Sequence, residues 1–234
     1  MKILHLAAAL LVATALHAAE ARDDVLVAAK RLADAPNYTW KTVVVVPSDS
    51  QFRPGPTEGQ TEKGGATHLA LSFRDTKTEA IIHGDKGALT NEDGVWESLA
   101  ELESAEGPGR FRAMMLRNFK LPAKQAQELV TGAKELKKVG DVIAGDLTAD
   151  GATQFLTFAR RPGGGSNPKV RNAAGSVKFW LTSEGAIAKF EFKIQGVVTI
   201  NGDDREVDRT TTVEISKVGE TKVAVPDGAR KKLS

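Results

Sequence analysis

Residues 185–196, GAIAKFEFKIQG, set Phe190, Phe192 and Ile194 against Lys189, Glu191 and Lys193 at strict period two. Only an extended strand with one apolar and one wet face has that period. Asn201-Gly202 follows as a tight-turn signal. Beyond it, Val207, Thr211, Val213 and Ile215 oppose Glu206, Asp208, Thr210, Thr212 and Glu214. The pair predicts an antiparallel hairpin half-exposed to water.

Moving upstream, SVKFWLT (176–182) adds a strand across the short Ser183-Glu184-Gly185 connection. Near the start, YTWKTVVVV (38–46) is β-branched and aromatic and is stopped by Pro47. HLALSFR (68–74) and TEAIIHG (78–84) supply two more strands. Asn91 to Gly94 marks a further turn before Trp96. The turn-rich SDSQFRPGPTEGQTEKGG (48–65) predicts a long hairpin loop, and RRPGGGSNPKVRNAAG (160–175) a second flexible one. Gln154 to Phe158 reads as a strand.

The middle of the chain changes period. Phe111, Met114, Met115 and Phe119 recur at 3/4 spacing, which predicts a helix ending before Pro122. Pro122 suits the first position of another, PAKQAQELVTGAKEL. An earlier helix, capped by Asp23 or Asp24, places Val25, Ala28, Ala29 and Leu32 on one face and ends before Pro36. The fold class is α+β, mainly β, without the regular βαβ alternation of a parallel sheet.

Residues 1–21 carry the marks of a cleavable export signal: Lys2, an apolar run from Ile3 to Leu16, then Ala19-Glu20-Ala21. The expected mature chain starts at Arg22 and forms one domain over 22–234, periplasmic or secreted. Its net charge stays at +2, too balanced for a nucleic-acid binder. The absence of cysteine leaves no residue for a lipid anchor and no disulfide, so the core alone must hold the fold.

Catalytic patterns are weak. The signal removes His5 and His17, leaving His68 and His83, neither in a metal-ligand spacing. Ser166 in GGGSNP lacks the flanking glycines of a nucleophile elbow, and the triple glycine lacks the Lys-Ser/Thr of a phosphate loop. NEDG is incomplete as a calcium loop because Leu89 stands where an acid is required. Asp85, Glu92, Asp93, Glu97, Asp203 and Asp204 fall near turns, where a carboxylate-based hydrolase is the least favoured of three readings. No catalytic residue, metal or cofactor is expected. The cluster Arg160, Arg161, Lys169 and Arg171 offers a transient contact with an anionic membrane surface, or simply a solvated loop.

The layout resembles the LolA-like superfamily, which includes periplasmic lipoprotein carriers and mycobacterial lipid-binding lipoproteins. The resemblance rests on GAIAKFEFKIQG, on TTTVEISKVGETKVAVPDGARKKL (210–233) with its Val225-Pro226 turn into a terminal helix, and on KELKKVGDVIAGDLTADGATQFLTF (134–158). It implies a strongly curved antiparallel sheet, a half-open barrel, with helices covering the concave face and an acyl chain between them. No arginine here matches the carriers' functional one, and the lipoproteins' acylated cysteine is missing. Phe111, Met114, Met115, Leu116 and Phe119 are the candidate ligand-binding residues, since methionine re-packs around varied apolar guests. The same side chains equally suit a helix face buried on the sheet. Two functions stay open beside the hydrolase: a soluble carrier of a lipid or apolar ligand, and an envelope interaction module with a filled core.

Overall fold

The structure is a computed structural model. It describes residues 3–50, 53–73, 76–105, 107–157, 168–200 and 202–234, without the side chains of 3–18 and of Phe73 and Thr76. Eleven strands form one antiparallel sheet. The first six are β1 (Asn37–Val45), β2 (Pro54–Glu62), β3 (Thr67–Phe73), β4 (Thr76–His83), β5 (Lys86–Thr90) and β6 (Trp96–Ser98). The other five are β7 (Lys137–Val139), β8 (Val142–Asp146), β9 (Lys169–Leu181), β10 (Ile187–Ile200) and β11 (Asp203–Ser216). Spatially the order is β6-β5-β4-β3-β2-β1-β11-β10-β9-β8-β7. Two meanders are therefore joined where the first strand meets the last, from Thr39 opposite Ser216 to Val45 opposite Thr210. The edges β6 and β7 do not pair, so the sheet stays open.

Period-two burial follows the sequence pattern. Phe190 sits opposite Phe179 on one side and Val213 on the other, and Phe192 opposite Val177 and Thr211. Phe179, Phe190, Val213 and Ile194 are fully buried. Fully burying side chains of this size stabilises by roughly 1.5–3 kcal/mol each. On the wet face Lys178 pairs with Glu191 at 3.0 Å, and Lys189 lies 4.0 Å from the Trp180 ring centroid.

Helices cover the apolar face. α1 (Ile3–Asp34) lies against β7, β9 and β10, and Val25, Ala28, Ala29 and Leu32 form its buried stripe. Between the sheet edges run α2 (Leu99–Ser104), α3 (Pro108–Arg117) and α4 (Pro122–Gly132). α4 packs on α1 and on α5 (Ala149–Leu156), which rests on β9 and β10. The last helix, α6 (Asp227–Lys232), takes the opposite face. There Ala229 joins Ile81 and Ala88, while Ala80 and Leu89 point into the main core.

Four sequence expectations need correction. The 48–65 segment is not one long loop, because half of it is β2. Its Gly59 is required there: a Cβ would stand 2.0 Å from Cζ2 of Trp40, whose ring covers the glycine from the neighbouring strand. Gln154 to Thr157 are not a strand but the end of a helix, and Phe158 lies outside the described residues. Thr148 caps α5 by accepting from the Gly151 N–H at 2.9 Å, and α4 approaches so closely that a Cβ on Gly151 would meet the Gly132 carbonyl at 2.4 Å. The second half of the 160–175 loop is the start of β9, with a register shift opposite Gln195–Val197 and positive φ at Asn172. Finally, Asp23 and Asp24 cap nothing, since α1 runs straight through them. Residues 3–21 are rich in Ala and Leu, the strongest helix formers, and propagate the helix in the uncut chain.

Candidate functional site

A cavity of about 650 Å³ opens between the β1–β5 half of the sheet and the α3–α4 segment, beside the end of α1. Tyr38 from β1, Ile82 from β4, Leu99 from α2, Leu116 from α3, then Phe119, Leu121 and Ala123 form its apolar wall. The site exists because Pro122 ends the preceding chain and restarts it as α4. The short connection 118–121 drops Phe119 onto Trp40, with ring centroids 6.2 Å apart. Tyr38 in turn lies 5.6 Å from Trp40. These three rings tie the helical segment to the middle of the sheet.

The rim is charged. Glu62, Lys63, Asp85, Lys86, Arg117 and Lys124 all line it. Arg117 donates to Glu103 at 2.7 Å and to the Asp85 carbonyl at 2.8 Å; that ion pair holds the Glu103 carboxyl below its usual range. Lys63 Nζ bonds Asp34 at 2.9 Å. Glu62 accepts from the Val223 N–H at 2.7 Å, and the hydroxyls of Thr61 and Thr67 satisfy each other at 2.8 Å.

One polar atom lies covered behind the wall. Tyr38 is 3% exposed, and its buried hydroxyl makes no hydrogen bond of ordinary geometry. The backbone amide of Ala123, at the start of α4, is its polar neighbour. Burial pushes the phenol up to about 12, and that amide offsets only part of the rise.

Of the five candidate ligand-binding residues, Leu116 and Phe119 line the cavity. Phe111 and Met115 do not; they stand 57% and 52% exposed, and Met114 is half-buried. The reason is local. α3 turns Ala113 and Leu116 inward, and its Gly109 lies over α2, where a Cβ would sit 2.8 Å from Ala105. Phe119 follows the helix rather than continuing its face. Tyr38 and the start of α4 were missed as site elements, although Leu-Pro at 121–122 is a readable sign of a helix lacking a side-chain cap.

Other expected groups lie elsewhere. His68 bonds Glu79 across β3 and β4 at 3.1 Å. Asp85 occupies one turn and Glu92 and Asp93 the next; Glu97 pairs with Arg112 at 3.3 Å, and Asp204 with Arg171 beside Thr199. Arg160, Arg161 and Ser166 lie outside the described residues, and Lys169 and Arg171 open β9. Among the described residues no three His, Cys, Asp or Glu side chains gather as a metal site. No helix among them is long and apolar enough to cross a membrane. A half-buried arginine also faces the apolar side: Arg209, opposite Ile194, donates to the Phe155 carbonyl, and desolvation lowers it to about 10.

No family model and no curated protein matches the chain. Solved structures do. The lipoprotein LppX of Mycobacterium tuberculosis aligns over 85% of this chain and 97% of its own, at 13% identity and a TM-score of 0.42. LprF from Mycobacterium bovis covers 90% and 97%, at 11% identity and 0.48. A DUF1329 family protein from Desulfovibrio piger covers 93% and 99%, at 10% and 0.35.

Proposed function

We propose that the chain is an exported, non-enzymatic binding protein that holds a lipid or other apolar molecule between its sheet and its helices. One observation carries this: the sheet and the α3–α4 segment do not close on each other, but leave about 650 Å³ walled by Tyr38, Ile82, Leu99, Leu116, Phe119 and Leu121. Small-molecule sites occupy roughly 300–1,000 Å³ and are mostly apolar with a few placed polar groups. Each methylene moved from water contributes roughly 0.8 kcal/mol, so about ten of them give some 8 kcal/mol, near a micromolar Kd before ordering costs. A scaffold module with a filled core would instead show side chains packed across this gap.

Export is part of the proposal. If the chain is cut after Ala21, Arg22 becomes the first residue and keeps its hold on the Val130 and Ala133 carbonyls. N-terminal sequencing of the exported protein tests this, with Arg22 expected first. For the ligand, the purified protein is extracted with organic solvent for mass spectrometry and titrated with a fluorescent fatty acid. Saturable uptake that Leu116→Trp blocks, by filling the cavity, is the expected result. No recovered lipid together with no fatty-acid binding would overturn the carrier reading.

A further inference from the structure

α3 is apolar on two sides. Its inner side is short: Ala113 and Leu116 are buried, and Leu116 roofs the cavity. On its outer side Phe111, Met114 and Met115 fall within about 100° of the helix circumference. Phe111 and Met115 are each more than half exposed, and Phe111 is the one exposed aromatic side chain among the described residues. By the same helical spacing Arg110 and Arg117 flank this stripe on one side and Arg112 on the other. The helix and the connection after it carry charge of one sign: from Gly107 to Gln127 the chain holds five lysines and arginines and no acid. Arg112 and Arg117 reach back to Glu97 and Glu103, which tethers α3 with its apolar stripe outward, and Lys120 pairs with Glu128. Arg110 and Lys124 are exposed and pair with no acid among the described residues.

We propose that the outer face of α3 docks the protein on an anionic lipid surface, with Phe111 and Met115 entering the boundary between headgroups and acyl chains. A helix with an apolar stripe bordered by cations lies in that plane: its apolar side chains leave water while its arginines stay at headgroup level. The guanidinium fork matches lipid phosphate, and an anionic leaflet attracts each cation held near it. A second copy of the chain is a poorer occupant, because a two-fold contact through this face sets α3 against α3 and brings the same cations together. Attachment places the yielding wall of the cavity, with Leu116 on its inner side, directly over the lipid. Docking itself needs no ligand, so the proposal goes beyond the binding reading and stands or falls apart from it.

The test floats the exported protein with vesicles of phosphatidylcholine alone and of phosphatidylcholine mixed with phosphatidylglycerol. Attachment to the anionic vesicles that weakens with added salt is expected, with little to the neutral ones. Phe111→Gln with Met115→Gln keeps helix propensity on an exposed face, so the variant folds, and it should bind about tenfold more weakly or worse. Arg110→Gln should cost about fivefold. Lys138→Gln, which removes the same charge from exposed β7, should cost little. As a second readout, Phe111→Trp should gain blue-shifted emission on anionic vesicles that brominated lipid quenches. No attachment to anionic vesicles, equal attachment to neutral ones, or a double variant that binds as the parent does would each overturn the proposal. A dimer that the double variant dissolves, seen without vesicle binding, would overturn it in favour of a second copy.

Discussion

Gly59→Ala has an expected sign opposite to the ordinary one. Gly59 is not among the residues with positive φ, so alanine fits its backbone, and replacing a strand glycine normally stabilises by about 0.4–1 kcal/mol. The cross-strand neighbour reverses this. The new Cβ would stand 2.0, 2.3 and 2.5 Å from Cζ2, Cε2 and Cη2 of Trp40, where carbon pairs rest at about 3.5–4.0 Å. The indole must therefore shift by about 1.5 Å. It has little room to do so, being 2% exposed and held between Tyr38 and Phe119. Overpacking of this kind costs about 1–3 kcal/mol, so the net loss should be about 1–2 kcal/mol. Guanidinium unfolding followed by far-UV circular dichroism reads it. Trp40→Leu on its own is more damaging, but in that background the alanine should cost nothing further, giving a coupling of about 1–3 kcal/mol. If Gly59→Ala is neutral, or costs the same with and without the indole, then the ring does not dictate this glycine and the account of β2 is wrong.

Arg22→Ala removes a guanidinium that donates to Val130 at 2.6 Å and to Ala133 at 2.8 Å, both at the end of α4. A loss of about 2 kcal/mol in denaturant unfolding is expected, with Arg22→Lys recovering only part because the two-pronged geometry is gone. An unchanged midpoint in Arg22→Ala would show that the pairing is idle. Stability should fall in acid. Asp34, hydrogen-bonded by Lys30 and Lys63, and Glu101, hydrogen-bonded by Lys232 and by Ser98, are each lowered to about 2 from 3.8 and 4.5. Groups depressed on folding stabilise fully above their unfolded values, and that contribution disappears as pH drops from about 5 towards 2. Asp34→Asn with Glu101→Gln should flatten this part of the curve in urea melts. A slope identical to that of the parent chain would refute the assignment.

The strands that alternate were legible, and so was their order of appearance, because burial on one face writes period two directly into residues 187–194 and 207–215. β2 was not, because its inward positions hold Gly59 and Thr61 and the bulk that covers them comes from Trp40 on another strand. Local composition cannot report a side chain donated from elsewhere. α5 was misread for a related cause. Its glycine, poor for a helix in isolation, is selected by the approach of Gly132 on α4. α2 went unnoticed although its capping box, Ser98 with Glu101, was in plain view. In the site, the period of α3 pointed to a helix correctly but not to its buried side. Phe111 and Met115 share a face with four-residue spacing, yet the neighbours that decide burial lie on α2 and β5. Tyr38 was legible only as a strand residue, since what distinguishes it is the packing of its ring beside Ala123 at the start of α4.

The two walls of the cavity differ in what holds them. On one side Tyr38 belongs to β1, which is paired on both flanks by β2 and β11 at the centre of the sheet, so moving it would break ladders that join the two ends of the chain. α4 is nearly as fixed, with Pro122, Ala123, Ala126, Leu129, Val130 and Gly132 all buried. α3 has only Ala113 and Leu116 inside. Regions with few buried apolar contacts open at the least free-energy cost. A guest of variable size would therefore find a rigid floor at Tyr38 and α4, and a yielding roof at α3. On that argument the exposed Phe111 and Met115, with the half-buried Met114, can still contribute to binding. They sit on the wall that gives, and a small roll of α3 about Leu116 changes which of its apolar side chains face the ligand.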